Sequence, residues 1–518
     1  MASQSKPAEF GKWRSLLWPI HNFELKKLVP MLLLFFFINF NYTILRDTKD
    51  SLIVTAPGSG AEAISFLKFW GVLPVAILFM LIYSKLSNIF SKEKLFYSTL
   101  GFFLAFFGLF AAVLYPCRDI LHPTAFADQL QTSLPEGFSG FIAILRNWTY
   151  ALFYIMSELW GSMMTSLLFW GFANDTTRIS ESKRFYAIFG LGANFAMLPS
   201  GQLVKVFSDI QSKLPAGVDA WGVTINYLTI SVVVAGLLAM GIYWWINRNV
   251  LTDARFFDPN EIKKAKEKPK MPLKESFAYI FKSKYLLCIA VLVIAYGVSI
   301  NLVEVTWKHQ LKLQYNNPNS YNAFMGGFSQ FTGIATIFMM LFVGSNVIRR
   351  FGWGTAAMIT PVVLLLSGAA FFAFVIWRDQ LTGLIAYLGT TPLMMAVVFG
   401  MIQNIMSKSS KYSLFDPTKE MAYIPLDPES KVKGKAAIDV VGARFGKSGG
   451  ALINQALILM LGSVTFITPY VAAVLLLIIF AWIISVRSVN KRFVELTAEK
   501  ESAKTSEPAL KTQTTPSA

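Results

Sequence analysis

A stretch of about 20 apolar residues is long enough to cross the hydrocarbon of a bilayer as a helix. Such stretches recur along this chain from one end to the other. By that rule twelve are predicted, over residues 28–50, 62–86, 95–115, 139–172, 183–207, 222–246, 280–308, 320–344, 353–377, 383–415, 436–462 and 464–486. Lipid satisfies no backbone polar group, so a chain with runs of this length must close its hydrogen bonds within helices. The predicted fold class is therefore an all-α membrane protein with twelve transmembrane helices. Composition agrees: 15% of the residues are charged, against roughly a quarter in soluble domains, and 45 are Phe.

The net charge of +17 would suggest nucleic acid in a soluble protein. Here most basic residues sit in short connections between apolar runs, so no nucleic-acid partner is expected; the lipid bilayer is the partner. Lys26 and Lys27, then Lys85, Lys92 and Lys94, then Arg178, Lys183 and Arg184 fall on alternate connections. The series continues with Ile262 to Lys274, Arg349 and Arg350, Lys431, Lys433 and Lys435, and Arg487, Lys491 and Arg492. The positive-inside rule places all of these, and both termini, in the cytoplasm. Met1 to Trp18 lacks the apolar core of a signal peptide, so the first run is read as a retained helix.

The long basic connection divides the spans six and six. The expected organisation is an N-terminal half at 1–250, a cytoplasmic linker at 251–276, a C-terminal half at 277–492 and a disordered tail at 493–518. The halves share a faint repeat: Glu181-Ser182-Lys183 follows the fourth run and Glu429-Ser430-Lys431 follows the tenth. Two six-helix halves joined this way is the major-facilitator plan, with the substrate site between the halves.

Charges inside the runs cost at least about 2.5–3.5 kcal/mol each at the bilayer centre. The first run holds Arg46, Asp47, Lys49 and Asp50; the tenth holds Lys408 and Lys411; the eleventh holds Arg444 and Lys447 among Gly442, Gly446, Gly449 and Gly450. Glu158 has no basic residue within a helical turn, so its partner must come from another helix. Glu304 has Lys308 four residues on, at pairing distance. The nearest carboxylate to Lys411, Asp416, falls beyond the predicted end of its helix. Each of these charges is explained either by neutralising pairs and cross-helix glue or by a polar cavity. Read as cavity residues, Arg46, Lys49, Lys408, Lys411, Arg444 and Lys447 outnumber the acids and call for a polyanion, with organic phosphates fitting best. Asn194 lies in the helix after the repeat motif. Tyr154 and Trp170 are the two base-stacking candidates, and Trp160 and Trp307 lie near the same helices; aromatic residues are so common here that plain packing is the better explanation for each.

Arg444-Phe445-Gly446-Lys447-Ser448 imitates a phosphate-binding P-loop. The required glycine is missing, since Val441 stands at its position, and no strand precedes it. No ATP hydrolysis is expected. The three His residues are scattered, so neither a metal site nor a cofactor is expected.

Several stretches together resemble the nucleotide transporters of plastids and obligate intracellular bacteria, the non-mitochondrial ATP/ADP translocases. They are Asn41 to Asp50, Val54 to Glu62, Trp170 to Asp175, Lys411 to Leu426, Lys433 to Val441 and Gly446 to Gly450. The resemblance runs from about Phe23 to Arg492 and is nearest to the chlamydial exchangers. It implies import of host ATP in exchange for ADP and phosphate, and a bacterial inner membrane is the expected location. Separately from the resemblance, a monomer is expected. The resemblance also implies four functional charges, placed by motif at Lys49, Glu158, Glu304 and Lys447. The alternatives are proton-coupled net nucleotide uptake, with Glu158 or Glu304 carrying the proton, and a membrane enzyme or channel. The loop Lys85 to Lys94 lacks the Gly- and Arg-rich signature of the wider major-facilitator group.

Overall fold

In the computed structural model, which describes residues 20–253, 255–257 and 273–511, every regular element is a helix. The twelve spans are α1 (Leu25–Val54), α2 (Glu62–Ile89), α3 (Lys92–Leu114), α4 (Trp148–Thr176), α5 (Ile179–Phe195, continued by Met197–Ser208) and α6 (Ala220–Asn249). They continue with α7 (Lys284–Gln314), α8 (Pro318–Phe338, continued by Met339–Gly344), α9 (Ser345–Ile376), α10 (Pro392–Ser410, continued to Ala422), α11 (Pro428–Leu461) and α12 (Val464–Lys511). By length and hydropathy alone, nine stretches among the described residues qualify as spans. One of them, Pro318–Ile376, is 59 residues long and holds both α8 and α9. The chain turns there at Gly352, with φ 77° and ψ 178°, a conformation open to glycine because it lacks Cβ. The remaining two, α10 and α11, are not among the nine; within α11 the stretch Ser448–Leu461 is a shorter apolar helix.

Two expectations need correction. The run 139–172 is not one helix: Asn147, with φ −112° and ψ 45°, separates Ser139–Arg146 from α4. The run 383–415 divides too, into Arg378–Ala386 and α10. Pro392 stands in the first turn of α10, where its missing N–H costs nothing, and the Thr391 hydroxyl accepts the Met394 N–H at 3.1 Å. Residues 493–511 continue α12. They follow Arg492, which pairs with Glu495 at 3.0 Å and Glu499 at 3.3 Å in a stretch of strong helix formers.

The packing repeats. α1 packs on α4, α5 and α6 as α7 packs on α10, α11 and α12, and α3 packs on α6 as α9 packs on α12. The Trp160 indole donates to the Ile38 carbonyl at 3.0 Å and ties α4 to α1; the Trp307 indole donates to the Val397 carbonyl at 3.0 Å and ties α7 to α10. The two halves meet through α5 on α8 and α2 on α11. In the first contact a Cβ on Gly201 would come 2.5 Å from the Gly326 carbonyl, so glycine is what lets these backbones touch.

Hydrogen bonds between the halves gather where α1 ends and α8 begins. Ser51 donates to Asn322 at 2.9 Å, Asn322 to Ser208 at 2.9 Å, and Thr224 to Asn319 at 2.7 Å. Lys312 donates to the Ser59 carbonyl. Along α2 the burial falls off toward the opposite end: Ala63 to Phe66 at its start are fully buried, whereas no residue of Leu73–Ile89 is. Among the described residues the halves are therefore closed at one end and part along α2 toward the other, while α5 and α8 stay in contact.

Candidate functional site

Most of the charges inside the spans converge on the seam between the halves. The Lys49 ammonium lies 2.7 Å from Asp50 Oδ1 and 3.0 Å from Glu158 Oε1. Glu158, without a local cation, thus meets one from α1. The other oxygen of Asp50, Oδ2, is 2.7 Å from Lys308 of α7, and Lys308 lies 2.6 Å from Glu304 Oε1. Glu304 Oε2 in turn accepts from Lys68 of α2 at 2.5 Å, and Lys68 also donates to Asn301 Oδ1 at 2.7 Å. Glu158, Lys49, Asp50, Lys308, Glu304 and Lys68 thus form one unbroken chain of three lysines and three carboxylates across four helices. Lys49, Asp50 and Lys308 are 2–3% exposed, whereas Glu158 and Glu304 are each 22% exposed, so the carboxylates reach toward the gap from the ends of a buried core of charge.

A second cluster lies beside it. Arg46 Nε meets Asp47 Oδ1 at 3.2 Å, and its Nη2 donates to Ser329 Oγ of α8 at 2.8 Å; Ser329 donates to Asp47 Oδ2 at 2.5 Å. Lys408 of α10 lies over the ring of Phe328, 4.6 Å from its centroid. Phe328 and Ser329 are neighbours in sequence, so Arg46 from one half and Lys408 from the other approach the same turn of α8. Among the described residues Lys408 has no carboxylate within ion-pair distance.

The cation excess expected from sequence is therefore much smaller. Arg46, Lys49 and Lys411 each have a carboxylate partner. Lys411 pairs with Asp416 at 2.8 Å, which the expected helix end had excluded. α10 does not end there: it widens into a π turn over Lys411–Phe415 and continues as Asp416–Ala422. Similar π turns follow Glu158, at Gly161–Phe169, and contain Lys68, at Leu67–Val72. Turns of this kind concentrate at functional positions of helices.

The two stacking candidates are already engaged. Tyr154 is fully buried with Lys49 over its ring at 3.9 Å, so in this conformation that face cannot take a base. Trp170 packs edge-on against Phe35 and Tyr186, twelve residues along α4 from Glu158. Asn194 donates to the Gly190 carbonyl at 2.8 Å and faces Met340 sulfur at 3.8 Å, at the α5–α8 contact rather than in either charge cluster. Arg444 and Lys447 lie in α11, and their side chains are outside the described residues. The P-loop look-alike that contains them is helical, so it cannot form a phosphate-cradling loop. Gly446 meets Gly297 of α7, where an added Cβ on Gly297 would come 2.6 Å from Gly446 Cα.

Sequence reasoning passed over Lys68 and gave Lys308 only a local role. A usable signal existed for Lys68, which is the lone charge between Ala63 and Ser84 and therefore needs a partner or a function.

Comparison with known proteins shows the fold and the family. A solved bacterial homologue of the iron transporter ferroportin, in its inward-facing state, superposes with a TM-score of 0.53 at 13% identity, over 92% of this chain and 99% of that one; it shares the fold. Over 499 residues the chain is 61% identical to ADP,ATP carrier protein 1 of Chlamydia trachomatis serovar D, covering 96% of this chain and 94% of the relative. It is 53% identical over 485 residues to the chloroplastic ADP,ATP carrier protein 1 of Arabidopsis thaliana, covering 94% and 77%. It is 44% identical over 507 residues to ADP,ATP carrier protein 1 of Rickettsia bellii, covering 97% and 100%. The profile of the TLC ATP/ADP transporter family matches residues 3–493. With the profile spanning nearly the whole chain, from before the first span to within the last, the chain belongs to the TLC ATP/ADP transporter family.

Proposed function

We propose that this protein is an ATP/ADP antiporter that imports ATP in exchange for ADP and phosphate by alternating access. The moving units are the six-helix halves 1–250 and 277–492, joined by the connection 251–276. The observation that carries this reading is the charged seam between the halves, in a chain 61% identical over its length to a protein named ADP,ATP carrier. A nucleotide in that gap touches both halves, so its binding is felt by the motion that transports it. Lys408 and Arg46 are the cations best placed to take the phosphates, since Lys408 is not neutralised by a carboxylate and Arg46 approaches it from the other half. Phosphate oxygens held by two fixed cations recover the hydration they lose. Glu158, Glu304 and Lys447 belong to the same substrate path, with Lys49 as the neutralising partner that holds Glu158 there, and no hydrolysis of ATP accompanies it.

The test is uptake of labelled ATP into proteoliposomes loaded with ADP, loaded with buffer, or given only an acid gradient. Exchange predicts rapid uptake into the ADP-loaded vesicles alone. Equal uptake driven by the acid gradient into buffer-loaded vesicles would establish proton-coupled net import instead.

The seat of action is the bacterial inner membrane, with both termini cytoplasmic, because the basic connections alternate. Tyr387, between α9 and α10, is 92% exposed, and the side chain of Lys92, the first residue of α3, is 80% exposed. Cysteines placed at these two positions should label from opposite sides of intact cells, Tyr387→Cys from outside. Labelling of both from one side would overturn the topology.

A further inference from the structure

The six-membered charge chain is balanced in a particular way. The members on α1, α2 and α4 are Lys49, Lys68, Asp50 and Glu158, and those on α7 are Glu304 and Lys308. Each half therefore carries equal numbers of positive and negative groups. Two ion pairs cross the boundary: Asp50 to Lys308 at 2.7 Å and Glu304 to Lys68 at 2.5 Å. When the closed end parts, both are broken, but the consequences differ. Lys308 keeps Glu304 four residues away on its own helix, and Asp50 keeps Lys49. Lys68 keeps neither of its partners, because Glu304 and Asn301 both lie on α7.

We propose that Lys68 is the coupling residue of exchange: it holds Glu304 across the closed end and takes a nucleotide phosphate in place of Glu304 when that end opens. This rests on the exchange reading given above. An ammonium stripped of its carboxylate inside a span is costly, so opening without an anion at hand is opposed. A phosphate oxygen supplies a charge-assisted hydrogen bond of the same kind as the one lost. Nucleotide thus permits opening, and the carrier without nucleotide stays closed at this end. Dependence on a counter-substrate is then a property of one lysine that changes partners. That lysine stands in the π turn Leu67–Val72, a kind of turn that is frequent at functional sites.

The experiment uses proteoliposomes loaded with labelled ADP, with efflux followed into buffer with or without ATP. The wild type should release ADP only when ATP is outside. Lys68→Gln has no charge to strip, so its efflux into nucleotide-free buffer should rise roughly tenfold while its KM for ATP added at the opening end rises by about the same factor. Lys68→Arg keeps the charge and should keep the dependence on ATP. If Lys68→Gln is poorly folded, Lys68→Gln/Glu304→Gln removes the whole pair and is scored by the same ATP dependence. Strict ATP dependence in the neutral variants, with wild-type KM, would overturn the proposal. A wild type that does not exchange would refute the exchange reading itself.

Discussion

Lys49→Gln should lose stability before it loses substrate. Lys49 is 2% exposed and bonded to two carboxylates, Asp50 at 2.7 Å and Glu158 at 3.0 Å. Removing its charge leaves the chain of six with one carboxylate too many in a place that water barely reaches. Breaking a buried pair by deleting one partner costs on the order of 3–5 kcal/mol, because the remaining charge is left without compensation. The expected result is a large fall in the thermal midpoint of the purified protein. Lys49→Gln/Asp50→Asn restores the balance and should recover most of it. A Lys49→Gln protein as stable as the wild type would show that the network is not what holds Lys49 in place. The sequence left two roles open for this residue, a phosphate clamp and a neutraliser of its acidic neighbours. The geometry supports the second, since both of its charged contacts are carboxylates of its own half.

The complementary result is expected at Lys408. Its ammonium rests on the Phe328 ring and neutralises no carboxylate among the described residues, so Lys408→Gln leaves no orphaned charge. Stability should change little. Nucleotide affinity should fall by about tenfold to a hundredfold, the equivalent of one charge-assisted hydrogen bond at roughly 1.5–3 kcal/mol. The loss should be largest for ATP, smaller for ADP and absent for adenosine, which presents no phosphate. Titration of the purified variant with each ligand, beside a melting curve, checks both halves of the statement. Undiminished ATP affinity in a stable Lys408→Gln protein would remove Lys408 from the phosphate seat. Arg46→Gln is a less clean probe, because Asp47 would lose its ion pair and keep only Ser329.

The pair of variants separates two uses of buried charge that look alike in a sequence. Both lysines lie in apolar runs and both were candidates for binding a polyanion. Only neighbours from other helices tell which cation is already satisfied.

The sequence by itself determined the solvent of this chain, the positions of its spans and the residues that are expensive in lipid. Apolar run length and the alternation of basic connections are properties of consecutive residues, and the bilayer reads them locally. Arg46, Lys49, Glu158, Glu304, Lys408 and Lys411 were visible for the same reason: each is a charge in an apolar run. The tertiary structure decided which charges meet. Lys49 to Glu158, Asp50 to Lys308 and Lys68 to Glu304 join residues on different helices, and such pairs depend on how far each helix is rotated and slid against its neighbour. That is set by packing, for instance by the contacts of Gly201 with Gly326 and Gly297 with Gly446, and not by the periodicity of either helix. The pairing of Lys411 with Asp416 stayed hidden for a related reason. It needs the wide turn Lys411–Phe415, a departure from 3.6 residues per turn that becomes stable only where surrounding helices accommodate it.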